Sequence, residues 1–165
     1  MNDKKPLAAV VMGSESDLPI MKKAAEVLRE MGVSYEMKIS SAHRMPEETA
    51  LFARTARQRG IEVIIAGAGM AAHLAGAVAS HTTLPVIGVP LKSGELNGVD
   101  ALYSTVQMPS GIPVATVAIN GAANAAYLAC SILSIKYPEI KSALDAKREK
   151  TRENLIKKSD AVCNE

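Results

Sequence analysis

Three short polar stretches carry most of the residues able to do chemistry: GSESD at 13–17, SSAHR at 40–44 and GAGMAAHLAG at 67–76. In the first, Gly13 permits a tight turn, and Ser14 and Ser16 offer hydroxyls. A helix start adds free N–H groups and the positive end of a dipole, so the set suits an anion such as phosphate. Asp17 does not, because two anions repel. A carboxylate that accepts from two hydroxyls fits ribose instead. The same residues also serve plain helix capping, and spacing alone favours neither reading.

In the second stretch His43 and Arg44 are neighbours, with Pro46 stiffening the chain behind them. Arginine is always charged and holds phosphate through two parallel hydrogen bonds. Imidazole both gives and takes a proton near neutrality. A histidine–arginine pair in a loop is otherwise a solvated surface, but its place after a strand is where such folds build sites. In the third stretch Gly67, Ala68 and Gly69 let a ligand approach bare backbone. A helix beginning near Ala71, with His73 in its first turn, would aim N–H groups at a carboxylate or at CO₂. The competing reading is that the small residues only permit tight packing and His73 is a satisfied polar group. His81 reads as a surface residue near a helix end.

Other chemistries lack their residues. No Cys/His cluster has zinc spacing, no GxxxxGK[ST] occurs, and no GxGxxG opens the first helix, where the residues are GSESDL, so a P-loop and a dinucleotide fingerprint there are unsupported. No Asp/Glu pair stands out as acid and base. A net charge of +2 and 3% aromatic residues, with no Trp and Phe52 the one Phe, argue against nucleic acid as partner. Cys130 and Cys163 form no disulfide framework, so a reducing cytoplasm is the expected compartment. The opening apolar run ends at Gly13 and reads as a first strand, not as a signal peptide. No stretch is long enough to span a membrane.

The elements that must position these stretches follow from periodicity. Leu7–Met12 is continuously apolar, like a strand buried on both faces. Ser16 caps a helix with Pro19 in its first turn and Ile20, Met21, Ala24, Val27, Leu28 and Met31 on one face, ending at Gly32. Ser34–Ile39 alternates as a second strand, and a helix runs from about Pro46 to Arg59, closed by Gly60. Glu62–Ala66 is a third strand, followed by a small-residue helix to about Ser80. Pro85–Val89 is a fourth strand, followed by a helix near Val99–Val106. Pro113–Ile119 is a fifth strand, Ala122–Ile135 a fifth helix, and Pro138 starts a highly charged last helix that frays after Lys157.

A chain of 165 residues with 48% hydrophobic and 22% charged residues suits one domain with a real core. We read residues 1–165 as one catalytic domain, with a core of about 7–135 and a helical extension of about 138–160. Strand–helix alternation predicts an α/β fold: a parallel sheet of about five strands, doubly wound, with helices on both faces and an extra C-terminal helix. Ligands then bind beyond the carboxyl ends of the strands where the strand order switches, which selects the loops after strands one, two and three.

Taken together, MGSESD (12–17), SAHR (41–44), IIAGAG and AAHL (64–74), LPVIGVP (84–90), VQMPSGIPVAT (106–116) and NAA (124–126) resemble one family. It is the N5-carboxyaminoimidazole ribonucleotide mutase family, the catalytic subunit of phosphoribosylaminoimidazole carboxylase, and the likeness runs from about Ala8 to Ser134. The resemblance implies a three-layer flavodoxin-like fold and a homo-octamer. It also implies carboxyl transfer on an aminoimidazole ribonucleotide in purine biosynthesis, without metal, ATP or organic cofactor. Carried over residue by residue, it makes His43 the general acid/base. Ser14, Asp17 and Arg44 then bind substrate, with Ser16 and Ser41 around the phosphate. Gly69, Met70, Ala71, His73 and Leu74 line the place where the carboxyl group is held, and Met108–Gly111 completes a site across a subunit boundary. A functional link to an ATP-dependent synthase of the N5-carboxylated substrate is implied too.

The family commonly reads GAGGAAHLPGM. Here Met70 replaces a Gly, and Ala75 and Ala77 stand at the Pro and Met positions. A second branch carboxylates aminoimidazole ribonucleotide directly with CO₂, and tends to have Lys after the His and no AAHL. Arg44 and His73 are similar to the mutase branch. The rival readings are that direct carboxylase and a flavodoxin-like phosphoribosyl-binding module without catalysis, which fold alone leaves open. A flavin site is disfavoured, because Tyr103, Tyr127 and Tyr137 are not in the strand-end loops.

Overall fold

The computed structural model describes residues 5–162. Its strands are β1 (Ala8–Met12), β2 (Tyr35–Ile39), β3 (Val63–Gly69), β4 (Val86–Leu91) and β5 (Ala115–Thr116). Its helices are α1 (Leu18–Glu30), α2 (Pro46–Thr55), α3 (Leu74–Ala79), α4 (Val99–Val106), α5 (Ala122–Leu133) and α6 (Pro138–Val162). The strands form one parallel sheet in the order β2-β1-β3-β4-β5, the flavodoxin-like arrangement.

Alternation along the buried strands explains the layers. Ala8, Val10 and Met12 of β1 face one way and join Val63, Ile65, Ile87 and Val89 under α1 and α5. Ala9 and Val11 face the other way and meet Ile64, Ala66 and Val86 under α2 and α3. Both faces are covered, so β1 and β4 tolerate no polar residue. Most of the predicted core stripe of α1 is buried: Met21, Ala24, Val27 and Leu28 are buried, Ile20 is half-buried and Met31 packs just beyond the helix. The first turns of α6 pack through Ile140 and Leu144, half-buried Lys147 donates to Glu30 of α1 at 2.7 Å, and the helix beyond is exposed but continues to Val162, past the Lys157 where fraying was expected. A clamp at the opposite end of the sheet from the loops above holds the α5–α6 junction. There Lys136 Nζ (2.6 Å) and the Tyr137 hydroxyl (2.7 Å) both donate to Glu62 Oε1.

Several boundaries differ from the sequence reading. The helix predicted to reach Arg59 is α-helical to Thr55 and then tightens into a 3-10 turn, Arg57–Arg59, ended by Gly60 at φ 99°. β3 is longer than predicted, because Gly67–Gly69 pair with Val89–Leu91 instead of opening a helix. The following helix starts at Leu74 and not near Ala71. Met70 takes a left-handed backbone (φ 53°) as the chain leaves β3, and His73 is the cap residue. The fifth strand shrinks to two residues. Pro113 has no N–H to give, and β4 offers Pro90 where further pairing would need a donor. The cap at the first helix start is also relocated: the Ser14 hydroxyl, not Ser16, accepts the Ser16 N–H, and a 3-10 turn (Glu15–Asp17) precedes α1. Cys163 lies outside the described residues.

Candidate active site

The chain leaves β1 for β2 on one side and returns to β3 on the other, so the strand order switches at β1. The loops after β1, β2 and β3 therefore meet over its carboxyl end. They enclose a cleft of about 380 Å³. Ser14, Ser16 and Asp17 line it from the first loop, Ser41, His43 and Arg44 from the second, and Gly69, Met70, Ala71, His73 and Leu74 from the third. These candidates thus share one cleft; Gly67, also read as bare backbone open to a ligand, does not line it, because it is paired inside β3 and covered by the Met21 side chain.

Backbone bonds lock the loops to the sheet. Gly13 N–H donates to Gly67 O (3.1 Å) and Ser40 N–H to Met12 O (2.7 Å). The buried Ser40 hydroxyl bonds the Thr49 hydroxyl on α2 at 2.8 Å, which fixes the base of the second loop. Arg44 bridges two loops. Its Nη2 donates to Gly13 O (3.1 Å), and its Nε and backbone N–H both reach Ser41 Oγ (3.3 Å). The guanidinium is pre-positioned beside the Ser14–Ser16 pair, whose hydroxyls bond each other at 2.7 Å. These hydroxyls and the cation stand on one wall of the cleft, a set whose chemistry suits an anion.

Asp17 lies against that wall. Burial pushes its carboxyl above the ordinary range, opposed by hydrogen bonds from the Ser14 and Gly13 backbones and by the charge of Arg44. Sharing the wall with an incoming phosphate would add repulsion, so sugar hydroxyls are the better partner for it.

Sequence reasoning found no acid/base pair, yet the tertiary structure makes an imidazole pair. His43 Nε2 stands 2.8 Å from His73 Nδ1, with the rings edge to face, centroids 5.0 Å apart and planes at 87°. The two residues are thirty positions apart on loops flanking β1, so no spacing rule joins them. Ser93 is a residue the sequence reading passed over. It follows β4, the next strand in the sheet, and lines the same cleft. The carboxyl-end rule applied to β4 would have found it. Its side chain occupies the room a Cβ on Gly69 would need, 2.8 Å from that position.

Met108 and the loop to Gly111 do not line the cleft within one chain. Met108 packs against Gly76, and Gly111 borders a separate depression with His81, which is half-buried behind α3. Among the described residues no group of three or more His, Cys, Asp or Glu could hold a metal ion, and no helix is long and apolar enough to cross a membrane.

The profile of the AIR carboxylase family matches residues 7–154. An N5-carboxyaminoimidazole ribonucleotide mutase of Pyrococcus horikoshii is 65% identical over 144 residues, covering 87% of this chain and 81% of that one. The protein of the same name from Thermotoga maritima is 58% identical over 157 residues, covering 95% and 92%. The crystal structure of Treponema denticola PurE superposes with a TM-score of 0.86 at 31% identity, over 94% of this chain and 98% of that one.

Proposed function

The chain belongs to the AIR carboxylase family, and from that premise we propose that the cleft over β1 is the active site of a carboxyl-shifting mutase with His43 as its proton carrier. The enzyme converts N5-carboxyaminoimidazole ribonucleotide to 4-carboxy-5-aminoimidazole ribonucleotide in purine biosynthesis. One observation carries the site assignment: an imidazole, a tethered guanidinium, a hydroxyl-rich turn and a bare glycine backbone face one another across a single cleft.

In this reading Arg44, Ser14, Ser16 and Ser41 hold the ribose phosphate, and Asp17 accepts from ribose hydroxyls. That remote binding energy aligns the reacting end of the substrate. The N–C bond of the carbamate breaks and releases CO₂, and the amine nitrogen takes a proton from His43. CO₂ is retained against the Gly69–Ala71 backbone, with Met70, His73 and Leu74 around it, until ring C4 attacks. His43 then removes the C4 proton, which restores aromaticity and returns the residue to its starting state. The carboxyl group moves, one proton is given and one regained, and no other reactant is consumed.

We further propose a homo-octamer, a cytoplasmic location and supply of the labile substrate by an ATP-dependent synthase. Residues 1–165 act as one catalytic unit, with 138–160 as its helical extension. Exposed apolar side chains on α4 (Val99, Tyr103, Val106) and the long exposed part of α6 support burial against further copies. Met108–Gly111, which misses its own cleft, is available to a neighbour's.

An ATP-free assay of the pure protein tests the reading. N5-carboxyaminoimidazole ribonucleotide alone yields the C4-carboxylated product, and aminoimidazole ribonucleotide with modest bicarbonate does not. Efficient product from the second mixture would make the enzyme a direct carboxylase. No product from either would leave a binding module.

A further inference from the structure

We infer that His73 is a positioning residue for the reaction: it accepts the His43 Nε2–H and thereby reserves His43 Nδ1 for every proton exchanged with substrate. The inference rests on the mutase reading of the cleft and goes beyond it in assigning the two nitrogens different duties. The 2.8 Å Nε2–Nδ1 separation is a full hydrogen bond between imidazoles, so one ring must donate and the other accept. The edge-to-face geometry, at 87° between planes, is a hydrogen-bonding approach and not a stack.

Chemistry selects the direction. If His73 donated, His43 would present only Nδ1–H to the substrate, and giving that proton would leave an imidazolate anion. If His43 donates, its Nδ1 cycles between N–H and lone pair while the ring passes between imidazolium and neutral imidazole. The proton given to the amine nitrogen as the N–C bond breaks, and the proton taken from C4 after the C–C bond forms, then pass through the same atom. The Nε2–H never leaves the ring. A histidine whose second nitrogen is held by a fixed acceptor has its tautomer and ring orientation set by that partner. Backbone bonds brace both ends of the pair. Met45 N–H donates to Ser41 O at 2.8 Å behind His43, and His73 N–H donates to Ala71 O at 2.8 Å.

The test uses full-length His73→Phe and His73→Asn beside the wild-type protein. Nitrogen-15 NMR of the imidazole side chains, recorded at alkaline pH, reads which nitrogen of His43 carries hydrogen. The wild type gives a protonated Nε2 and a lone-pair Nδ1, whereas His73→Phe gives averaged resonances. Phe keeps a ring but no acceptor, so kcat falls roughly tenfold to a hundredfold, as when a histidine loses its orienting partner, with KM little changed. Asn places an amide oxygen near the Nδ1 position and restores most of the turnover and the Nε2–H pattern. Unchanged kcat in His73→Phe overturns the inference, as does a wild-type spectrum with hydrogen on Nδ1. The NMR arm needs no substrate. Wild-type protein with the expected tautomer but no product from the N5-carboxylated ribonucleotide would sink the mutase reading instead.

Discussion

Gly69→Ala is the substitution whose consequence the geometry fixes most closely. Gly69 is the last residue of β3 and pairs with Leu91 of β4. A Cβ there would sit 2.8 Å from Ser93 Cβ, 3.3 Å from the Leu91 carbonyl oxygen and 3.4 Å from Ser93 Oγ. Carbon–carbon contacts relax at about 3.5–4.0 Å, so Ser93 must retreat by on the order of 1 Å. It has little freedom to do so. Lys92 N–H donates to Asn120 Oδ1 at 2.9 Å, Asn120 N–H donates to Pro90 O at 2.9 Å, and Gly98 packs against the Lys92 backbone. Overpacking of this kind costs about 1–3 kcal/mol. At roughly 2 kcal/mol, a domain of this length loses about 4–8 °C in melting temperature. Turnover falls further, because an error of about 1 Å in a cleft wall can cost roughly a hundredfold. Adding Ser93→Gly removes the closest clash. The four proteins form a double-mutant cycle, melted by circular dichroism, which cancels the roughly 0.4–1 kcal/mol that the new glycine costs through chain freedom. The expected coupling is at least about 1 kcal/mol in favour of the double variant. An unshifted melting temperature for Gly69→Ala, or strict additivity in the cycle, would refute the argument.

His43→Asn leaves the fold intact by circular dichroism and removes roughly 10²–10⁴-fold of turnover, the usual worth of a general acid–base group; normal turnover would end its role. Arg44→Ala loses the charge-assisted bonds to phosphate, each worth about 1.5–3 kcal/mol, so KM rises at least about tenfold in steady-state kinetics. Unchanged saturation would return Arg44 to the solvated surface. Met70→Gly releases a left-handed strain of about 1–2 kcal/mol, partly offset by a more flexible unfolded chain, so thermal stability holds or rises while activity persists. Labelled bicarbonate added during turnover would report any carboxyl leakage from that variant. For Glu62, burial works to raise the carboxyl pKa, but hydrogen bonds from Lys136 and Tyr137 and the charges of Lys136 and Arg57 bring it below its ordinary value of 4.5. A depressed folded-state pKa stabilises above the unfolded value and loses that effect as pH falls through the folded one. Glu62→Gln therefore melts lower than wild type at neutral pH, and the gap closes in acid; a gap independent of pH would contradict the clamp.

Much of this architecture is written in local sequence. Apolar runs such as AAVVM and VIIA require covered strands, and stripes such as Met21–Ala24–Val27–Leu28 require a helix on one face. Alternation of the two leaves a parallel doubly wound sheet as the packing solution. The loops after its first three strands could be marked because the carboxyl-end rule selects them, while their Gly, Ser, His and Arg alone also fit capping, solvated surface or tight packing. The limits of elements were less legible. Where β3 ends depends on Gly67–Gly69 finding partners in β4, and α3 can begin only after that pairing is spent. β5 is cut short by prolines that matter only once pairing is known.

What the sequence by itself determined is therefore the periodicity of burial and the chemical inventory of each loop, both of which are properties of neighbours along the chain. Only the tertiary structure decided which members of that inventory meet. The His43–His73 hydrogen bond, the reach of Arg44 to the Gly13 carbonyl and the fit of Ser93 into the space above Gly69 all join residues from different strand-end loops. Their distances are set by strand order and spacing, with β1 between β2 and β3 and each ladder about 4.8 Å wide, and no local preference encodes that arithmetic.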